Sequence, residues 1–124
     1  MDKLKTITAR FYTNARGKSP VLEWLRGLDD ADKKAIGKDI ARCEFEWPVG
    51  PPTVKPLKEG LFEIRTDLVG SRIARVFFGI GGGIMLLVHG IIKKTRKTPI
   101  QDIDLARKRL RAARGSLETG AVNE

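Results

Sequence analysis

The chain has 124 residues, with 24 Lys and Arg against 15 Asp and Glu, and so a formal net charge of +9. That length suits one compact domain, and a hydrophobic share of 41% is enough for one core. The charge favours a polyanionic partner, no apolar run reaches the roughly 18 residues that span a bilayer, and one cysteine with one histidine excludes an internal disulfide and the usual zinc sets.

In chain order, Lys3 to Tyr12 is predicted as a first strand, and Met1 to Arg10 has no apolar core of a signal peptide. After a turn at Asn14 to Lys18, Ser19-Pro20 opens a helix with Ser as cap and Pro in the first turn. Acidic Asp29 to Asp32 opens a second helix, whose stripe Ile36, Ile40, Cys43 and Trp47 repeats at helical spacing up to Pro48. With almost no linker between them, the two helices are expected to form a hairpin. Cys43 reads as a small apolar residue on that stripe, and a lone thiol fits a reducing cytoplasm.

Beyond Gly50-Pro51-Pro52 the period changes to that of strands, expected at Leu61 to Thr66, Arg72 to Ile80 and Ile84 to Lys93. Gly79 to Gly83 suits a hairpin turn, and the doubly apolar Ile84 to Ile92 suits a central strand. Thr98-Pro99-Ile100-Gln101 reads as a capping box, opening a helix buried through Ile103, Ala106, Leu110 and Ala113 and stopped at Gly115. The expectation is an α+β fold, strand-helix-helix-strand-strand-strand-helix, with an antiparallel sheet. One domain is expected over residues 1–115, with a flexible tail at 116–124.

Between Thr53 and Lys97, nine basic residues (Lys55, Lys58, Arg65, Arg72, Arg75, Lys93, Lys94, Arg96, Lys97) face three acids (Glu59, Glu63, Asp67). Strand alternation puts Phe62 and Ile64 on one face and Glu63 and Arg65 on the other. If the strands form a meander, one face gathers Arg65, Arg75, His89 and Lys93. Each has a bland alternative. Arg65 with Glu63 or Asp67 is then a surface ion pair, His89 a core histidine, and Lys93 to Lys97 a solvated loop. No carboxylate cluster for magnesium is apparent, so phosphate chemistry on this chain would rest on cations, with no metal and no cofactor.

The stretch Lys55-Pro56-Leu57-Lys58-Glu59-Gly60-Leu61-Phe62-Glu63-Ile64-Arg65 resembles the K-P-L-K-x-G-L-W/F-E-I/L-R signature of phage-derived HigB-like toxins. Arg72-Ile73-Ala74-Arg75-Val76-Phe77-Phe78 and His89-Gly90-Ile91-Ile92-Lys93-Lys94-Thr95-Arg96-Lys97-Thr98-Pro99 extend the resemblance, which runs from Phe11 to Arg114. It implies the RelE/ParE superfamily fold and the toxin of a type II toxin-antitoxin system. Such a toxin enters the ribosome and cuts translated messenger RNA without a metal, in the cytoplasm. A cognate antitoxin, commonly a helix-turn-helix protein, restrains it.

The resemblance implies catalytic roles for Lys58, Arg65, Arg75, His89 and Lys93. Lys55, Arg72, Lys94, Arg96 and Lys97 are then contacts to RNA or ribosome, while Arg107 and Arg111, on the last helix, can equally bind RNA phosphates, ribosomal RNA or nothing. The expected reaction is attack of a 2′-hydroxyl on the adjacent phosphate. Arg65 and Arg75 clamp the phosphate, Lys58 or Lys93 is the base among clustered cations, and His89 is the alternative base or the acid. Ile100 and Gln101 stand where some relatives carry a tyrosine. The same resemblance leaves two alternatives open: a ParE-like toxin that binds DNA gyrase, and an inactive phage-derived RNA-binding remnant.

Overall fold

The computed structural model describes residues 4–119, with 116–119 as helical backbone only. Its elements are β1 (Thr8–Phe11), α1 (Pro20–Arg26), α2 (Asp30–Glu46), β2 (Val54–Pro56), β3 (Leu61–Leu68), β4 (Arg72–Gly81), β5 (Ile84–Lys93) and α3 (Ile100–Thr119). The strands form one sheet in the order β1-β5-β4-β3-β2.

The sheet is mixed where an antiparallel one was expected. The β2-β3-β4-β5 meander is antiparallel, but β1 runs parallel to β5, pairing Thr8 with Ile84 and Phe11 with Leu87. Hairpins force neighbours to alternate, whereas β1 reaches β5 only through the rest of the chain and is free of that constraint. β2 is a strand additional to those expected from the sequence. Three residues ending in proline give too little alternation to detect, and an edge position tolerates proline's missing donor. β1 is shorter than expected, since the Thr6 and Ile7 amides donate to the Glu44 carbonyl instead. Lys3, the expected strand start, lies outside the described residues.

β5 has the expected bounds and lies between β1 and β4, which explains its apolar character on both faces. It follows β4 through Gly82-Gly83, with φ of 56° and 75°. A two-residue hairpin loop with both residues left-handed matches the strand twist, and glycine adopts it without steric cost.

One face of the sheet packs under α1 and α2. Val21, Ile36, Ile40 and Cys43 meet Ile64, Val76, Phe78 and Met85 there. Trp47, at the end of α2, stands edge-on to Phe62 and Phe78, with ring centroids 5.2 and 5.5 Å away. The expected helical hairpin is not the main contact: α1 lies on β5 and α2 on β3. Gly90 seats α1, because a Cβ there would come within 2.3 Å of the Trp24 ring. The Ser19 hydroxyl, expected to cap α1, sits 3.1 Å from that of Thr13 and makes no cap bond.

α3 covers the other face, where Ala106 and Leu110 pack on Leu61, Phe77, Leu86 and Val88. Gly79 is its seat: a Cβ there would lie 2.4 Å from a Leu110 methyl. The expected capping box does not form. Thr98 turns its hydroxyl to Glu63, and the Pro99 carbonyl accepts the amides of Asp102 and Ile103. Gly115 does not stop the helix, which continues to Thr119. A helical glycine costs only about 1 kcal/mol relative to alanine. The flexible tail expected at 116–124 is thus helical to Thr119, and residues 120–124 lie outside the described residues. Among the described residues, no helix is long and apolar enough to cross a membrane.

Candidate functional site

Cross-strand register puts most of the expected cations on the α3 side. Arg65 pairs with Arg75, Arg75 with Ile91, Phe77 with His89 and Ile73 with Lys93. Their surroundings then separate them.

Arg75 is 1% exposed. Its Nη2 donates to the carbonyls of Thr95 at 2.7 Å and Arg96 at 2.5 Å. Its Nε lies 3.5 Å from Oε1 of buried Glu63, and the Thr98 hydroxyl donates to the same oxygen at 2.5 Å. Nη1 is buried with no hydrogen-bond partner among the described residues. Burial lowers the guanidinium pKa, Glu63 opposing and Arg65 adding to the effect. Where a direct clamp on phosphate was expected, Arg75 is buried and bonded to the segment between β5 and α3.

That segment walls a groove of about 500 Å³. The opposite wall is the β2-β3 edge with the loop before it. Lys55, Arg65, Arg96 and Lys97 bring four cations to the groove, and Glu63 is the one acid among its described lining residues. Thr98, Pro51, Pro52, Leu57, Ile100 and Ile103 complete the lining. Among the described residues, the Arg65 guanidinium has a loose ion-pair partner, Asp67 at 4.0 Å, which is 88% exposed. Such a pair is worth little, so the guanidinium can turn to an anion.

Lys58 sits outside this groove, in an adjoining concavity of about 340 Å³ with Glu59, Asp104, Arg107 and Arg111. Arg107 Nε and Arg111 Nη2 each lie 2.9 Å from Glu59 Oε2, and Arg114 donates to the Glu59 carbonyl at 2.6 Å. Arg107 and Arg111, the α3 arginines expected to touch RNA, and Arg114 thus lie against the β2-β3 turn.

His89 faces the opposite flank of α3. Its Nε2 lies 2.7 Å from Asp102 Oδ1, and Arg109 Nη1, which donates to the Val88 carbonyl, lies 3.4 Å from Nδ1. The ring stacks on Phe77 with centroids 5.7 Å apart. Lys93, the last residue of β5, and Lys94 just past it are exposed but line neither concavity. Arg72 is on the other face of the sheet altogether. It forms a bidentate pair with buried Asp32 of α2 at 2.8 and 2.9 Å, which holds that carboxyl below the usual range. This placement separates Arg72 from the other cations of the expected set.

Of the expected set, the structure brings together Arg65, Lys55, Arg96 and Lys97. The sequence reading missed the apolar wall, Glu63 as the acid of the groove, and Asp102 as the partner of His89. Thr98 carried a signal, but capping explained it equally well. Among the described residues, no three His, Cys, Asp or Glu side chains gather as a metal-ligand set.

Fold and site together define a basic α+β protein with a cationic groove between a sheet edge and the start of its last helix. Residues 23–111, well over half of the chain, match the family described as "Phage derived protein Gp49-like (DUF891)", and the chain belongs to that family. No curated protein matches it.

Proposed function

We propose that this protein is the toxin of a type II toxin-antitoxin system and cleaves translated messenger RNA without a metal. Membership of a phage-derived family is compatible with a toxin, and the sequence motifs resemble those of HigB-like members of the RelE/ParE superfamily. The observation that carries the reading is the groove. Its four cations against one acid suit a phosphodiester, and its apolar wall suits an unstacked base.

In this reading Arg65 and Arg96 hold the non-bridging phosphate oxygens. The 2′-hydroxyl loses its proton, its oxygen bonds to phosphorus, and the bond to the 5′ oxygen breaks as that oxygen is protonated. The products are a 2′,3′-cyclic phosphate and a 5′-hydroxyl. Lys55 and Lys97 are the proton carriers available in the groove, ahead of Lys58, Lys93 and His89, which lie outside it. The partners are the ribosome with its message and a cognate antitoxin of the helix-turn-helix kind, and the setting is the cytoplasm.

The test is addition of the purified protein to a translating extract, with message ends mapped by primer extension. Breaks within translated codons are expected from the wild-type chain, and far fewer from Arg65→Ala. Intact message together with blocked DNA supercoiling would replace this reading with the gyrase-binding one. Intact message, normal supercoiling and no growth arrest on expression would point to an inactive remnant.

A further inference from the structure

We propose that Arg75 is a positioning residue that sets where the Arg96 and Lys97 side chains stand in the groove, acting through the main chain of the segment that carries them. This rests on the reading of the groove as an RNA site. Arg75 is buried under that segment, with Nη2 bonded to two successive carbonyls, those of Thr95 and Arg96. Glu63 stands beside its Nε and also accepts the Thr98 hydroxyl. The two buried charges therefore grip both ends of the Thr95-to-Thr98 stretch, and Arg96 and Lys97 project from between the grips.

The segment has little else to order it. Residues 94 to 97 are all exposed and belong to neither β5 nor α3. A buried guanidinium is tolerated only where carboxylate and carbonyl partners compensate its lost hydration, so Arg75 and the segment stabilise each other. Arginine's planar fork reaches carbonyls and carboxylate at once, which a lysine's point charge does not. Two cations held at fixed spacing bind a phosphate with less ordering cost than two on a loose loop.

The experiment uses the full chain with Arg75→Met and, as a variant that keeps a donor, Arg75→Gln. Amide hydrogen exchange reads residues 94–98, and titration with a short single-stranded oligoribonucleotide reads affinity. Faster exchange in the segment and a roughly tenfold weaker affinity are expected. In an Arg96→Ala/Lys97→Ala background, Arg75→Met should cost no further affinity. An additive loss there would show that Arg75 touches RNA itself, and unchanged exchange in a folded variant would show that it anchors nothing. Either result overturns the proposal. If wild-type protein binds no RNA, the reading of the groove fails, while exchange still decides whether Arg75 holds the segment.

Discussion

The two faces of the sheet carry charge in opposite ways. On the face under α1 and α2, the polar groups are closed into pairs: Arg72 with Asp32, and the Thr66 hydroxyl on Asp39 at 2.7 Å. On the other face a single helix covers β3 to β5 only in part. Arg75 and Glu63 are buried near its start, while Arg65, Lys55, Arg96 and Lys97 are left beside a groove. A charge under a full helical layer must be neutralised to persist there, whereas a charge at the margin of a partial layer keeps access to a ligand. Coverage, more than residue type, separates the structural cations of this protein from those available to function.

The largest effect that sharpens this comparison is on cleavage. Arg65→Ala and Arg96→Ala are each expected to lose about 100-fold in message cleavage, the usual cost of a lost charge-stabilising donor, with melting nearly unchanged. Arg72→Met on the opposite face should keep cleavage and lower the melting temperature. Equal activity losses on both faces would break the distinction.

Next come the two helix seats. A Cβ at Gly79 or Gly90 meets Leu110 or Trp24 at 2.4 or 2.3 Å. Gly79→Ala and Gly90→Ala should each destabilise by about 1–3 kcal/mol in denaturant titrations, as overpacked cores do. A neutral result at either site would mean that its helix docks less tightly than described.

A smaller effect divides the flanks of α3. His89 already has Asp102 and Arg109 at its two nitrogens. His89→Gln should therefore reduce cleavage by much less than the roughly 100-fold cost of losing a general acid or base. A full loss in rate assays would return His89 to the catalytic set.

The smallest effects concern titration on the α1/α2 face. Hydrogen bonding to Arg72 lowers the folded-state pKa of Asp32. The pair's contribution is thus present above the unfolded carboxylate value and lost as pH falls through the depressed one. The melting difference between wild type and Arg72→Met should shrink in acid. Cys43, its pKa pushed up to about 11 mainly by burial, should stay silent to thiol reagents at neutral pH until the chain unfolds.

Much of the fold was legible before any coordinates. The α2 stripe, the β4-β5 hairpin and the bounds of β5 follow from local periodicity and turn chemistry. β2 was not legible, because three residues carry no period. The direction of β1 was hidden for a different reason: pairing sense depends on the path between strands. Within the site, alternation placed Arg65, Arg75, His89 and Lys93 on one side of the sheet. It had no way to show that α3 would run between Arg65 and His89, or that loop carbonyls would occupy Arg75.

The amino-acid sequence by itself determined the basic charge, the three helices and the longer strands, and which of their side chains share a sheet face, because these depend on composition and on spacing along one chain. Only the tertiary structure decided which cations are spent and which remain available. That choice turns on contacts between residues 20 and more positions apart, such as Arg75 with Thr95 and Arg72 with Asp32. Spacing along a strand carries no record of them.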